Sequence, residues 1–408
     1  MTLQWAEKKL GDIAKISYGY TAKANQAKIG PRFLRITDIK PHGVDWNTVP
    51  FCQIDDKQHK KHRLQSGDIV FARTGATTGK SYLITNPPNA VCASYLIKLS
   101  IDDTTISPNF LSRFFQTNQY WKIINGQISG STQGGFNARK LSELKISFPS
   151  LAEQKRIVAI LDEAFAGIDQ AIANTEKNLV NAREVFESYL NAIFTQKHED
   201  ETTIKLAKLC HKITVGHVGS MASKYIPKGI PFLRSQNVQP FKVTLNNIRY
   251  IDEDFHSSLQ KSSLNPGDVV IVRSGYPGTA AVVPNSLTKA NCSDLVIAKP
   301  KETLLPQYLV LFLNSKYGKD IVNANSVGAA QKHFNVTAAK NVLMPMVPID
   351  KQEELVNRAG VFRKETQHLE SIYQKKLNAL AELKQSILHK AFTGELTHSP
   401  EQELAEVC

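Results

Sequence analysis

The sequence predicts an α+β protein. Two similar mixed α/β units alternate with two long helices, which pair as an antiparallel coiled coil in a pseudo-two-fold arrangement. Two observations predict this. Residues about 150–196 and 350–394 are each an apolar-periodic run of forty-odd residues without an internal proline. The two halves of the chain also match each other at an offset near 198 residues.

The first run places Ile157, Leu161, Ala164, Ile168, Ile172, Thr175, Leu179, Ala182, Phe186, Tyr189 and Ile193 at steps of three and four, a near-heptad seam with one stutter. The second is looser, with Leu355, Ala359, Phe362, Leu369, Tyr373, Leu377, Leu380, Leu383 and Ile387. Ser150-Leu-Ala-Glu153 and Asp350-Lys-Gln-Glu353, each shortly after a proline, read as capping boxes that open the helices. Forty helical residues span roughly 60 Å. A single apolar stripe on so long a helix needs a partner, and the other run supplies one.

The repeat is direct. Phe136-Asn137 matches Phe334-Asn335, Gln133 matches Gln331, Gln154 matches Gln352, and Phe194-Thr195 matches Phe392-Thr393, all at an offset of 198. Nearer the start of each half the offset drifts: Phe33-Leu-Arg35 meets Phe232-Leu-Arg234, and Arg73-Thr-Gly75 meets Arg273-Ser-Gly275. Short loop insertions explain the drift. So long a period excludes a solenoid and indicates a duplicated domain. The expected division is a first globular unit over 1–150, a helical spacer over 151–197, a linker over 198–203, a second unit over 204–348, a second spacer over 349–394 and a tail over 395–408.

Within the first unit, Pro31–Ile36, Asp68–Arg73 and Val91–Leu99 read as strands, and Pro108–Phe115 as a helix opened by proline. Pro231–Arg234, Asp268–Arg273, Leu295–Ile297 and Pro306–Leu313 take the same places in the second unit. Gly67-Asp68 and Gly267-Asp268 are shared turns.

Fifty Lys and Arg against 37 Asp and Glu leave a net charge of +13, which suits a polyanion partner without proving one. No signal-peptide pattern or membrane-spanning apolar run is present, so a cytoplasmic protein is expected. The five cysteines (52, 92, 210, 292, 408) form no CxxC pair. Cys92 and Cys292 share a repeat position and read as buried thiols.

Three motifs resemble catalytic signatures and fail. Gly75-Ala-Thr-Thr-Gly79-Lys80-Ser81 has three residues between its glycines where a phosphate-wrapping loop needs four, and its repeat partner Gly275-Tyr-Pro-Gly278 has no lysine there. Asn86-Pro-Pro-Asn89 lacks the aromatic of an amino-methyltransferase loop, and Glu143-Leu-Lys145 and Glu382-Leu-Lys384 lack the aspartate of a nuclease motif. No metal site is signalled, and the chain reads as non-catalytic.

Arginine beside glycine at a strand end does repeat. Arg73, Thr74 and Gly75, like Arg273, Ser274 and Gly275, combine a guanidinium, a hydroxyl and permissive backbone. That suits a phosphate or a guanine edge, or else a local carboxylate. Lys80 follows the first set. Gln133, Gln331 and Lys332 sit in loops of small residues, where glutamine can address adenine. Lys60 and Lys61 belong to the basic run 57–63, a phosphate patch or a solvated face. Arg35 and Arg234, within apolar runs, are weaker candidates and read equally as core ion pairs.

The chain resembles one family, the specificity subunits of type I restriction–modification systems. The resemblance rests on Pro149-Ser-Leu-Ala-Glu-Gln-Lys-Arg-Ile157 opening the first long helix and Gln385-Ser-Ile-Leu-His-Lys-Ala-Phe-Thr-Gly-Glu-Leu396 closing the second. Gly67-Asp-Ile-Val-Phe-Ala-Arg-Thr-Gly75 fits the family's recognition domains. The end of the first helix departs from the pattern, with Gln196-Lys197 after Phe194-Thr195. The resemblance implies two target recognition domains, each reading half of a split double-stranded DNA target, with the helices setting the spacing. It implies docking of two methyltransferase subunits through the conserved helices, with Gln154, Ile157, Leu161, Gln352, Leu355 and Phe392 as the residues concerned. Two ATP-driven motor–nuclease subunits complete such assemblies. S-adenosylmethionine, ATP and magnesium are expected on those partners and no cofactor on this chain. The loops of the two units differ widely, as Tyr18–Lys28 does from Val215–Tyr225, so an asymmetric target is expected. A specificity subunit of another methyltransferase assembly, or a coiled-coil scaffold with protein-binding ends, stands as the alternative.

Overall fold

A computed structural model describes residues 5–40, 43–129, 136–196, 202–326 and 333–397. The chain divides into two compact units, residues 1–175 with 376–408, and residues 176–375. Each long helix contributes to both, because the helices run Leu151–Thr195 and Ile349–Thr393. No helix among the described residues is long and apolar enough to cross a membrane.

The first unit is built on a four-stranded antiparallel sheet. Ala14–Tyr18 pairs with Leu96–Ile101, which pairs with Ile69–Ala72, which pairs with Ser81–Leu83. Ile69–Ala72 is buried throughout, as a short apolar run between turns requires. A second small sheet sets Arg32–Leu34 parallel to Ala90–Cys92. The stretch expected as one strand over 91–99 is therefore two, in different sheets, broken where Ala93 bridges Tyr20. Helix Pro108–Phe114 starts on its proline and buries Phe110, Leu111 and Phe114 against the first sheet and the long helix.

The second unit repeats this plan. Cys210–Val215, Leu295–Pro300, Val269–Val272 and Ala280–Val282 form the antiparallel sheet in the same order. Ile230–Leu233 runs parallel to Ala290–Cys292. Strand Thr202–Lys205 begins inside the expected linker, so Thr202 and Thr203 belong to the second unit. The strand pairs with Leu343–Met346, as Ala6–Lys9 pairs with Lys145–Phe148 in the first unit. Cys52, Cys92, Cys210 and Cys292 are free and buried, and burial raises each thiol's pKa.

The turns before the buried strands are the shared structure expected. Gly67 and Gly267 have φ of +96° and +87°, where a side chain is strained. Asp68 then accepts the Gln65 N–H at 2.8 Å, and Asp268 accepts the Asn265 N–H at 2.9 Å.

Every seam residue of the first long helix is buried or half-buried. In the second unit its run packs antiparallel to the second helix: Arg183 bonds Glu370 at 3.0 Å and Tyr189 stacks edge-on Phe362 at 4.8 Å. In the first unit Lys384 bonds Asp169 at 2.8 Å. The expected stripe on the second helix needs correction at two positions, since Leu369 and Leu383 are 43% and 48% exposed. The seam passes instead through Thr366, half-buried Glu370 and half-buried Lys384. Thr366 satisfies its hydroxyl on the Phe362 carbonyl at 3.0 Å.

The start of the second helix is also corrected. Pro348 occupies the place of Ser150, so Asp350 lies inside the first turn, where its charge favours the helix dipole. What the two starts share is a buried glutamine. Gln154 donates to the Thr105 and Pro149 carbonyls at 2.8 and 2.9 Å and accepts the Ser107 N–H at 2.8 Å. Gln352 repeats this with Thr303 and Val347 at 3.0 and 2.9 Å and Leu305 at 2.9 Å.

Candidate nucleic-acid interface

Strand ends converge at one edge of each unit. In the first, Tyr18 ends its strand, Arg73 follows Ala72, Arg35 follows Leu34, and Tyr95 lies in the turn before Leu96. The Arg73 N–H donates to the Tyr95 carbonyl at 3.2 Å, and the Arg73 carbonyl accepts the Phe136 N–H at 3.2 Å. The Arg73 guanidinium lies over the Tyr18 ring at 4.8 Å. It has no hydrogen-bond or ion-pair partner among the described residues, so its N–H groups remain available. Thr74 and Gly75 are exposed. Gly75 holds φ at +81°, and a Cβ there would meet nothing within 4 Å, so a ligand can approach the backbone. Lys80 closes the same turn and is exposed.

In the second unit Arg273 occupies the equivalent place, its carbonyl accepting the Phe334 N–H at 3.0 Å. Its guanidinium is engaged differently. Nη1 donates to Asp294 Oδ1 at 2.7 Å, and the buried Nε has no partner among the described residues. Asp294 holds φ at +57° in its turn, and its N–H donates to the His217 carbonyl at 3.2 Å. Ser274 Oγ lies 2.8 Å from His333 Nδ1. Gly275 matches Gly75, with φ +81° and open space beyond. The repeat thus conserves the arginine, the hydroxyl and the open glycine while changing what orients the guanidinium: a tyrosine face in one unit, a carboxylate in the other.

The weaker candidates prove local. Arg35 donates to Asp38 through Nε and Nη2 at 3.0 and 2.8 Å. Arg234 donates from Nη2 to the Asn247 carbonyl at 2.6 Å. Lys60 and Lys61 lie on the short helix Asp56–His62, capped by Asp55, and both are exposed without an ion-pair partner among the described residues. Burial lowers the pKa of the neighbouring His62, and Lys61 and Lys98 add to that. Gln133, Gln331 and Lys332 lie outside the described residues.

The helix residues expected to meet partner subunits need correction. Gln154, Ile157, Leu161, Gln352 and Leu355 are at most 4% exposed within their own units. Half-buried Phe392 stacks on Phe110 and Phe114 at 4.8 and 5.7 Å. These side chains build the units, because the seam and the glutamine clamp point inward. The sequence reading also missed Tyr18, Tyr95, Asp294 and His333 on the rims. Their signal was position: Asp294 falls two residues after Cys292, and Tyr18 ends a strand just before Gly19.

Residues 3–182 match the family model of the type I restriction modification DNA specificity domain. The chain is 22% identical to the EcoBI specificity subunit of Escherichia coli, over 96% of this chain and 86% of that one. It is 26% identical to the EcoKI specificity subunit of Escherichia coli strain K12, over 72% and 66%. These relatives are specificity subunits of type I restriction enzymes, and the chain is similar to them along most of its length. Solved structures agree in fold. A chain from a study of complex assembly and conformational transition of the type I R-M system superposes with a TM-score of 0.79 at 18% identity, covering 97% of this chain and all of that one. The HsdS subunit from Thermoanaerobacter tengcongensis gives 0.58 at 17%, covering 96% and 97%.

Proposed function

We propose that each unit reads one half of a bipartite, asymmetric DNA target through the rim that carries Arg73 or Arg273. The observation that carries this is the duplicated rim itself: the same arginine, hydroxyl and open glycine at the same strand end, with different neighbours. The shared arginines address base edges, and the differing neighbours that orient them select different bases. Lys60, Lys61 and Lys80 add phosphate contacts to the first half-site. Gln133, Gln331 and Lys332 remain candidates for base contact from the sequence.

The helices set the separation of the half-sites and dock two methyltransferase subunits. Docking uses outward side chains such as Val361 and Ile372, which are 59% and 44% exposed, rather than the inward seam. Two motor–nuclease subunits complete the restriction complex. The chain itself is non-catalytic and acts in the cytoplasm. S-adenosylmethionine, ATP and magnesium belong to the partners.

Single-molecule methylation sequencing of host DNA, with and without the gene, tests this reading. Loss of N6-methyladenine from one bipartite, asymmetric motif is the expected result. An unchanged methylome, with the partner subunits expressed, would refute it.

A further inference from the structure

The turn that carries Arg273 holds a feature its counterpart lacks. Tyr276 is 83% exposed, more than any other large hydrophobic side chain among the described residues. A lone exposed aromatic is ordinary on a protein surface. This one is held out by a fixed backbone. The Val272 N–H donates to the Thr279 carbonyl at 2.8 Å, Gly278 N–H to Val272 at 3.0 Å, and Thr279 N–H to Tyr276 at 3.2 Å. Gly275 and Gly278 both sit at positive φ, +81° and +87°, and Pro277 fixes the residue between them. With two side-chain torsions and a rigid base, the ring loses little freedom when covered.

Its surroundings could accept a nucleobase. Tyr276 borders a cavity of about 450 Å³ also lined by Ser235, Gln236, Gln239, Ser274 and Lys319. The lining combines the tyrosine ring, hydroxyls, amides and a cation with apolar Val238, Pro240 and Val272. Arg273 is three residues back on the same turn. On the neighbouring loop, Val218 is 67% exposed, and that loop is tied to the rim through the His217–Asp294 bond. The equivalent turn of the first unit has no such ring. It folds as a short 3-10 helix over Gly75–Thr77 and presents Ala76 and Thr77.

We infer that Tyr276 is a specificity-determining residue of the second recognition domain, stacking on a base at a step it partly opens in that domain's half-site. Gln236 and Ser274 then address the base edge, and Lys319 the adjoining phosphate. This rests on the DNA-reading function proposed above. Wedging is cheapest at flexible pyrimidine–purine steps, so the half-site contains one there.

The test uses the chain assembled with its methyltransferase subunits, and duplexes carrying the motif found by methylation sequencing. 2-Aminopurine is placed at successive positions of each half-site other than the methylated adenines, which the methyltransferase subunits take out of the stack themselves. Wild type and Tyr276→Phe should brighten one position of the second half-site and none of the first, and Tyr276→Ala should abolish that signal. Binding by Tyr276→Ala should weaken roughly 5- to 150-fold, with the salt slope unchanged because no charge is lost. Undiminished affinity and fluorescence in Tyr276→Ala would overturn the inference alone, leaving the recognition function standing. So would an alanine variant that fails to assemble with the methyltransferase subunits while the phenylalanine variant succeeds, since the ring would then serve a protein contact. A wild-type complex without sequence-specific binding would remove both.

Discussion

Arg73 and Arg273 occupy one repeat position but should respond differently to removal. The Arg73 guanidinium stacks on Tyr18 at 4.8 Å and has no polar partner among the described residues. All its N–H groups are therefore available for a bidentate base contact, worth about 1–3 kcal/mol of discrimination. The exposed cation–π contact, about 0.5–1 kcal/mol, holds the fork in place without using its donors. Arg273 has already committed Nη1 to Asp294, and its Nε is buried, so Nη2 remains for DNA. Arg73→Ala should thus weaken binding to the motif by about 2–3 kcal/mol, roughly 30- to 150-fold, and Arg273→Ala by about 1 kcal/mol, roughly fivefold. Competition anisotropy on the assembled complex measures both, using the motif duplex and duplexes with either half-site scrambled. The Arg73 loss should vanish when the first half-site is scrambled. Equal losses on motif and scrambled DNA would make Arg73 a phosphate contact and refute the base-reading argument. No loss on either would place the interface elsewhere.

Asp294→Ala frees the Arg273 fork, and should relax or shift base preference in the second half-site alone, read from the methylated motif. Lys60→Ala combined with Lys61→Ala should lower the salt slope of binding by roughly 2 while leaving the motif unchanged. Gln154→Ala strands the Ser107 N–H and two carbonyls, and should destabilise the first unit by about 3 kcal/mol or more. Trp5, Trp46 and Trp121 all lie in that unit, so tryptophan fluorescence in urea follows its unfolding. His256 is buried beside Asn291, and burial, then Lys289, lowers its pKa against the opposing pull of Glu253. The unfolded chain then binds the proton first. The histidine's contribution to stability is full above about pH 6.5 and is lost as pH falls through the lower folded value. His256→Gln should flatten that slope in the second unit's urea midpoint.

Much of this fold was legible because duplication states each element twice. The long helices, the Gly-Asp turns, the buried strands and the Arg-Gly strand ends all follow from apolar period and offset. The single expected strand over 91–99 was not legible as two. Its apolar run continues across Ala93, and only pairing with two different sheets breaks it. The rims were half legible. Arg73 and Arg273 stand out by repetition, but Tyr18 and Asp294 orient them from turns distant in sequence, where no periodicity speaks.

The helix seam shows what each kind of signal is worth. Choosing apolar residues on the second helix selected Leu369 and Leu383, which face solvent. Carrying the first seam across at the fixed offset of 198 selects Thr366, Glu370 and Lys384, which are the residues that pack. Hydrophobicity failed there because each of these polar side chains has its own partner: Thr366 its helix carbonyl, Glu370 Arg183, and Lys384 Asp169. The same correction empties the inward glutamines of any docking role. Gln154 and Gln352 recur because each must tie a helix start to the loop before Pro108 or Pro306. Repetition at a fixed offset therefore marks what the duplicated fold needs. At the rims, the positions where the repeats differ, Tyr18 against Val215 and Ala76 against Tyr276, are those that the proposed reading uses to distinguish one half-site from the other.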